Sequence, residues 1–185
     1  EDIIKYCLSW VVDGVLILLS DGTNSLKHLD LLKNNNVPVV LLDKVIKSDY
    51  HSTVTIDDYE TARLATQAFF KNGNKEILGL FAHENLNITK GRLAGFESVF
   101  HDNNVPFDGS NYLIVNYPKE AETMLLEKLS KKSYNGFFFM TDELLVNCFN
   151  CILSLNKKIP DELSIVSISD GTSPVFLNPK ITHIF

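Results

Sequence analysis

Five apolar segments of the chain end at polar residues that could hold a small molecule. The segments are rich in Val, Ile, Leu and Phe, and they end at Asp43, Glu84, Asn116, Asp142 and Asp170. Near-continuous apolar runs are typical of parallel strands that are buried on both faces. Ligands of open α/β sheets bind outside the carboxyl ends of such strands. We therefore expect the functional site at these strand ends, where carboxylate and amide groups can hydrogen-bond a ligand.

The sequence lacks the motifs of common enzyme classes. The chain has no glycine-rich dinucleotide fingerprint, no phosphate-binding P-loop, no H-E-x-x-H and no G-x-S-x-G. Its five histidines form no pair at metal-ligand spacing. We predict that the protein is not an enzyme, that it needs no cofactor and that it holds no metal ion.

Cys148 and Cys151 form a C-x-x-C pair, a pattern that also occurs in redox and zinc sites. The pair lies inside a predicted helix from Glu143 to Leu155, Cys148 falls on its apolar stripe, and no second Cys/His pair accompanies it. Free cysteines are usually buried as small apolar residues. We expect that role here, and the odd total of three cysteines favours a reducing cytoplasm.

The overall charge argues against nucleic-acid binding by this chain alone. Its formal net charge is −6 and its sequence pI is about 5.3, so no broad basic face is available to neutralise phosphates. No apolar run reaches the ~18 residues expected of a membrane-spanning helix. We therefore expect a cytoplasmic protein without a membrane partner, and any DNA contact must come from another segment.

The order of predicted elements indicates the fold class. Strand-like and helix-like segments alternate, and no hairpin dipeptide joins two strands. This order predicts an α/β fold with parallel sheets covered by helices on both faces. A weak strand at Ser52–Ile56 separates two series of such units. We predict two lobes, residues 1–56 plus 181–185 and residues 57–180, with crossings near Ile56 and Lys180.

The candidate site residues lie on short motifs that occur in a fixed order. Asp43 ends one strand, Arg92 begins the run R-L-A-G-F, Thr141-Asp142 ends another strand and Ser169-Asp170 ends a third. The other motifs of the set are Val12-Asp13-Gly14, Val37-Pro38-Val39-Val40, the segments 54–62 and 73–77, Ile159-Pro160-Asp161 with Ser164-Ile165-Val166, and Pro179-Lys180-Ile181-Thr182. The ordered set resembles the effector-binding region of the lactose-repressor/galactose-repressor family of bacterial transcription regulators and spans nearly the whole chain.

This resemblance implies roles for the candidate residues. The family has the fold of type I periplasmic sugar-binding proteins. Its arginine at the Arg92 position reaches into the cleft and forks onto sugar hydroxyls or a corepressor carboxylate, which suits a planar guanidinium. Asp43 would accept hydrogen bonds from ligand hydroxyls, and Thr141 replaces a frequent asparagine. Asp142 is expected to cap the following helix in the first place and to contact the ligand in the second.

One motif departs from the family pattern. The family has G-F-D-D or G-F-D-N where this chain has Ser167-Ile168-Ser169-Asp170. Ser169 thus occupies the position where the family has its ligand-binding aspartate, and an aspartate, Asp170, follows one residue later. Either Asp170 takes over that role or the site binds a different ligand.

The resemblance implies the sensing region of a repressor or activator. A sugar or sugar derivative would bind between the lobes of a homodimer and change operator binding by a helix-turn-helix that this chain lacks. The ends of the chain are expected to be cut from a longer protein. The first alternative is a periplasmic sugar-binding protein of an ABC transporter, which would need a signal peptide. A flavodoxin-like or Rossmann enzyme is a third possibility, although its glycine loop is missing.

Overall fold

The computed structural model describes residues 2–20, 23, 25–46, 48–84 and 86–184, and within them it contains seven α-helices and eight β-strands. The strands are β1 Val15–Leu18, β2 Val39–Leu42, β3 Ser52–Val54, β4 Ile77–Phe81, β5 Tyr112–Ile114, β6 Gly136–Phe139, β7 Ser164–Ile168 and β8 Thr182–Ile184. The helices are α1 Asp2–Ser9, α2 Asp30–Asn34, α3 Asp58–Lys71, α4 Asn87–Asp102, α5 Ala121–Leu129, α6 Asp142–Leu153 and α7 Thr172–Phe176. Short 3₁₀ turns at Lys27–Leu29 and Pro118–Glu120 lead into α2 and α5.

The chain divides into two compact units, Glu1–Ile56 and Asp57–Phe185. The first unit contains a three-stranded parallel sheet in the order β1-β2-β3. Leu29 and Leu32 from the α2 region pack with Val39 and Leu41 of β2 to form its small core. Alternate residues of β2 are buried, so one face of this sheet carries that core.

The second unit contains a five-stranded parallel sheet in the order β5-β4-β6-β7-β8. All residues of the central strands β4 and β6 are buried, because helices cover both faces. The core is rich in phenylalanine, and Phe81, Phe96 and Phe138 meet there with ring centroids 5.2 to 5.5 Å apart. The predicted α/β class, with two parallel sheets, is confirmed.

One predicted boundary is wrong. Residues 181–185 were expected in the first lobe, but Thr182–Ile184 form β8 and pair with β7 in the second sheet, with Val166 opposite Thr182 and Ile168 opposite Ile184. Ile181 is also buried in the second core. Phe185 lies outside the described residues. Backbone pairing with β7 therefore assigns this segment to the second unit.

Helices α3 and α4 pack very closely in the second unit. The α3 helix is capped by Asp57, whose side chain accepts a hydrogen bond from the backbone N–H of Glu60 over 2.9 Å. A methyl group at Gly95 of α4 would collide with the Tyr59 carbonyl of α3, and one at Gly91 would lie 2.9 Å from Cβ of Asp58. The two glycines, one helical turn apart, allow the first turn of α3 to touch α4.

The C-x-x-C pair lies in the core of the second unit. Cys148 and Cys151 are free and buried on α6, as expected for small apolar core residues. None of the described helices has the length and apolarity to cross a membrane.

Candidate functional site

Arg92 is buried at the carboxyl edge of the second sheet. It lies in the second turn of α4 and is only 5% exposed. Its Nε donates to Oδ1 of Asp58 over 2.9 Å, and its Nη1 donates to the backbone carbonyl of Met140, the residue that follows β6. The guanidinium group is thus held in place from two sides, by α3 and by the end of β6.

Asp58 was not among the residues expected at the site. It occupies the first turn of α3, next to the capping residue Asp57, and its side chain is 18% exposed. Only the close approach of the helices at Gly91 brings its carboxylate to Arg92. The sequence signal that could have indicated this contact is the pair of glycines spaced four apart around Arg92.

Thr141 and Asp142 form the start of α6, directly after β6. Thr141 is the N-cap, because its side chain accepts a hydrogen bond from the backbone N–H of Leu144 over 3.4 Å. The expectation that Asp142 is the cap is therefore wrong by one residue. Asp142 is the first residue inside the helix, where a carboxylate interacts favourably with the helix dipole.

Asp142 meets Ser169 where two neighbouring strands end. Strands β6 and β7 pair in register, with Phe139 opposite Ser167, so the residues after them are close in space. The Ser169 hydroxyl donates to Oδ2 of Asp142 over 2.7 Å. The other oxygen, Oδ1 of Asp142, is buried and has no hydrogen-bond partner among the described residues. A buried carboxylate oxygen of this kind needs a donor, since leaving it unpaired is costly.

Asp170 has a local structural role. Its side chain is exposed, and Oδ1 accepts a hydrogen bond from the backbone N–H of Thr172 over 2.8 Å. Hydrogen bonding to that backbone amide lowers the pKa of the Asp170 carboxyl below its ordinary value. The intervening Gly171 has φ +87°, and a methyl group there would lie 3.1 Å from Nε2 of His183. The chain therefore turns sharply between Ser169 and α7, with Asp170 on the outside of the turn.

Asp43 belongs to the first unit. It directly follows β2, is exposed, and has φ +61°, a left-handed conformation that aspartate tolerates better than most residues. Its backbone N–H donates to the carbonyl of Val54 at the end of β3 over 3.0 Å. The carboxylate therefore stands at the carboxyl edge of the first sheet, as the strand pattern predicts.

The second unit thus brings four of the six candidate residues to one edge of its sheet. Arg92 contacts the Met140 carbonyl, Thr141 follows it, and Asp142 bonds to Ser169. Together they present guanidinium N–H groups, two hydroxyls and a carboxylate. Within the described ranges no group of three His, Cys, Asp or Glu side chains is arranged to hold a metal ion. The arrangement is suited to hydrogen bonding with a polar ligand.

Comparison with known proteins assigns the family. Residues 66–184 match the family model described as the periplasmic binding protein-like domain. The chain belongs to the periplasmic binding protein-like domain family. The match covers the whole of the sheet edge described above, from within α3 to the end of β8.

Relatives of this periplasmic binding protein-like chain are transcription regulators. It is 26% identical over 179 residues to the HTH-type transcriptional repressor PurR of Actinobacillus pleuropneumoniae serotype 3 (strain JL03), covering 94% of this chain and 52% of the repressor. The chain therefore spans about half the length of the curated relatives it matches. This likeness confirms the resemblance to the effector-binding region of the lactose-repressor/galactose-repressor family.

Solved structures show the same fold. A transcription regulator from Lactobacillus plantarum matches with a TM-score of 0.86 and 21% identity, over 99% of this chain and 69% of that one. A LacI family transcriptional regulator from Enterococcus faecium with bound ribose matches with a TM-score of 0.81 and 20% identity, over 98% of this chain and 68% of that one. The predicted periplasmic-binding-protein-like fold is confirmed.

Proposed function

We propose that this chain is the effector-sensing region of a bacterial transcription regulator and that its ligand is a sugar or sugar derivative. The observation that carries the proposal is the hydrogen-bonding edge formed by Arg92, Thr141, Asp142 and Ser169 at the ends of β6 and β7. Family membership and regulator relatives support it. The role is binding and not catalysis, and the protein works in the cytoplasm.

The chemistry of this edge fits a sugar. Each sugar hydroxyl both donates and accepts a hydrogen bond, so its site needs both kinds of group. Arg92 donates, Asp142 accepts, and the hydroxyl of Thr141 does both. The Ser169 hydroxyl already donates to Asp142 and accepts from the backbone N–H of Gly171, so it orients the carboxylate. In this proposal a ligand hydroxyl donates to Oδ1 of Asp142, which has no partner in the described part of the chain. The relative from Enterococcus faecium, solved with bound ribose, is consistent with that class of ligand.

Asp43 and Asp170 have different roles in this proposal. Asp43 is at the corresponding edge of the first sheet, and we propose that it accepts a hydrogen bond from the same ligand. The position of the ligand between the two units stays a prediction from the sequence. Asp170 already accepts a hydrogen bond from the backbone N–H of Thr172. We propose that it supports ligand binding indirectly, by holding the turn that carries Ser169.

The proposed partner is operator DNA, reached through a helix-turn-helix outside this chain, in a homodimer. A sugar changes DNA affinity only if it has different affinity for two arrangements of the regulator. Relatives that are regulators favour this role over that of a periplasmic sugar-binding protein of an ABC transporter.

The test uses the protein expressed from its complete gene. Thermal unfolding is measured with a panel of mono- and disaccharides, and the stabilising sugar is then titrated into a complex with DNA from the promoter of that gene. The proposal predicts that at least one sugar raises the melting temperature and changes DNA affinity. Stabilisation without any change in DNA affinity would favour the transport protein, and no response to any sugar would contradict the ligand class.

A further inference from the structure

The pairing of Asp58 with Arg92 bears on the electrical charge of the ligand. We propose that Asp58 makes the site selective for neutral sugars and against their phosphorylated or carboxylated derivatives. This inference rests on the proposed function, because it assumes that the ligand contacts Arg92. It assigns a specificity-determining role to a residue outside the set expected from the motifs.

The contact itself is close and shielded from solvent. Nε of Arg92 and Oδ1 of Asp58 are 2.9 Å apart, and the two side chains are 6% and 18% exposed. Charges in such surroundings interact more strongly than they do at the surface, because water screens them less. The Asp58 carboxylate therefore offsets the positive charge of the guanidinium before a ligand arrives.

The guanidinium group also donates to a neutral acceptor. Its Nη1 donates to the carbonyl of Met140, so the edge that would form a bidentate contact with an anion is already used in part. Recognition of a carboxylate or phosphate by arginine typically uses two parallel N–H donors of one guanidinium group. Here the Nε donor is taken by Asp58 and one Nη1 donor by the backbone.

The charged side chain at the ends of β6 and β7, Asp142, is acidic. Asp142 has a buried oxygen without a partner in the described chain. An anionic ligand beside Asp142 would place like charges together, whereas a sugar hydroxyl would donate to that oxygen. Building repulsion against the wrong ligand is a common source of specificity. The pairing of Arg92 with Asp58 and the unpaired oxygen of Asp142 thus both favour an uncharged donor.

The test compares each neutral sugar with its own anionic derivative. Isothermal titration calorimetry on the protein expressed from its complete gene would use ribose with ribose 5-phosphate, glucose with glucuronate and glucose 6-phosphate, and galactose with galacturonate. For the sugar that binds most tightly, we expect the anionic derivative to bind about tenfold more weakly or worse. Asp58→Asn keeps the shape of the side chain but removes its charge. It should reduce the ratio of the two dissociation constants, anionic derivative over neutral sugar, by about tenfold.

The matched control is Glu60→Gln. Glu60 lies in the same first turn of α3 and is exposed, so the change removes the same charge without touching Arg92. It should leave the ratio within about twofold of the wild-type value, since exposed charges are screened. Equal narrowing by both variants would overturn the role of Asp58 by showing a general charge effect.

The outcomes separate this inference from the proposed function. A wild-type protein that binds an anionic derivative more tightly than its parent sugar overturns the selectivity and leaves a sugar sensor in place. If circular dichroism shows that Asp58→Asn does not fold, the ratio of dissociation constants measured for the wild-type protein still tests the selectivity. A protein that binds no member of the panel contradicts the proposed function, and the selectivity inference falls with it.

Discussion

Arg92 on α4 donates from Nε to Oδ1 of Asp58, a residue 34 positions earlier on α3, and the contact is 2.9 Å long. The same guanidinium donates to the Met140 carbonyl at the end of β6. One side chain thereby links two helices and a strand of the second unit, at the edge where we place the effector. Removing one partner of such a pair leaves the other charge unpaired and poorly hydrated, which is more costly than losing a surface pair.

Arg92→Ala should therefore lower both effector affinity and stability. Arg92 is buried and makes two hydrogen bonds within the protein, so its loss should affect the fold as well as the ligand. Unfolding in urea should show a loss of about 3 to 5 kcal/mol, the range for breaking a buried ion pair. Calorimetry with the stabilising sugar, in the protein from its complete gene, should show affinity reduced at least tenfold, or by about 1.4 kcal/mol.

Arg63→Ala is the control for that change. Arg63 pairs with Asp102 in a contact whose side chains are 28% and 53% exposed, and hydrogen bonding to Asp102 raises the pKa of Arg63. Exposed pairs contribute little to stability, so this variant should unfold close to the wild type. An Arg92→Ala protein as stable as Arg63→Ala would show that the Asp58 contact is weaker than its geometry indicates.

Gly95→Ala should disrupt the contact between α3 and α4. The added methyl group would collide with the Tyr59 carbonyl, which is backbone and cannot rotate away. Overpacking of this kind costs about 1 to 3 kcal/mol, and here we expect the upper end in urea unfolding. Gly109→Ala is the matched control, because nothing lies within 4 Å of its added methyl group. Equal stability of the two variants would contradict the close approach of the helices.

Cys148 should resist alkylation in the folded protein. Burial raises the pKa of its thiol to about 12, with a further contribution from Cys151. The thiolate is the reactive form, so almost none is present at pH 8, and the fraction increases only as pH approaches the raised pKa. Iodoacetamide labelling followed by mass spectrometry should modify the partly exposed Cys7 first. Labelling of Cys148 as fast as Cys7 without denaturant would contradict its burial.

This chain alone should not bind DNA. Its net charge is −6, and phosphate neutralisation supplies most of the non-specific affinity of DNA-binding proteins. Fluorescence anisotropy with duplex DNA at about 0.15 M salt should show no binding at micromolar protein. Salt-dependent binding under those conditions would show that a DNA-reading surface lies within this chain.

Much of the fold was predictable because parallel strands have a strong local signal. The apolar run Ile77–Phe81 predicted β4 with its observed bounds, and the run that begins at Gly136 predicted β6. Polar residues after those runs correctly placed Thr141 and Asp142 at a strand end. The cap was misplaced by one residue because threonine and aspartate are both good capping residues, and only the backbone geometry decides between them.

Features that depend on distant pairing were less predictable. The segment after Lys180 reads as a strand, but its partner β7 follows from packing and not from its own sequence. Likewise, the sequence does not distinguish Asp58 from the other two acidic residues around the start of α3. Its contact with Arg92 becomes visible only when the helices meet at Gly91.

A crystal structure of the protein from its complete gene, bound to the neutral sugar that stabilises it most, tests the central claim most directly. The account predicts a sugar hydroxyl within about 2.6 to 3.2 Å of Oδ1 of Asp142, with Arg92 still paired to Asp58 and donating to the same ligand. A sugar bound away from the ends of β6 and β7, with Oδ1 of Asp142 satisfied by another protein group, would contradict it.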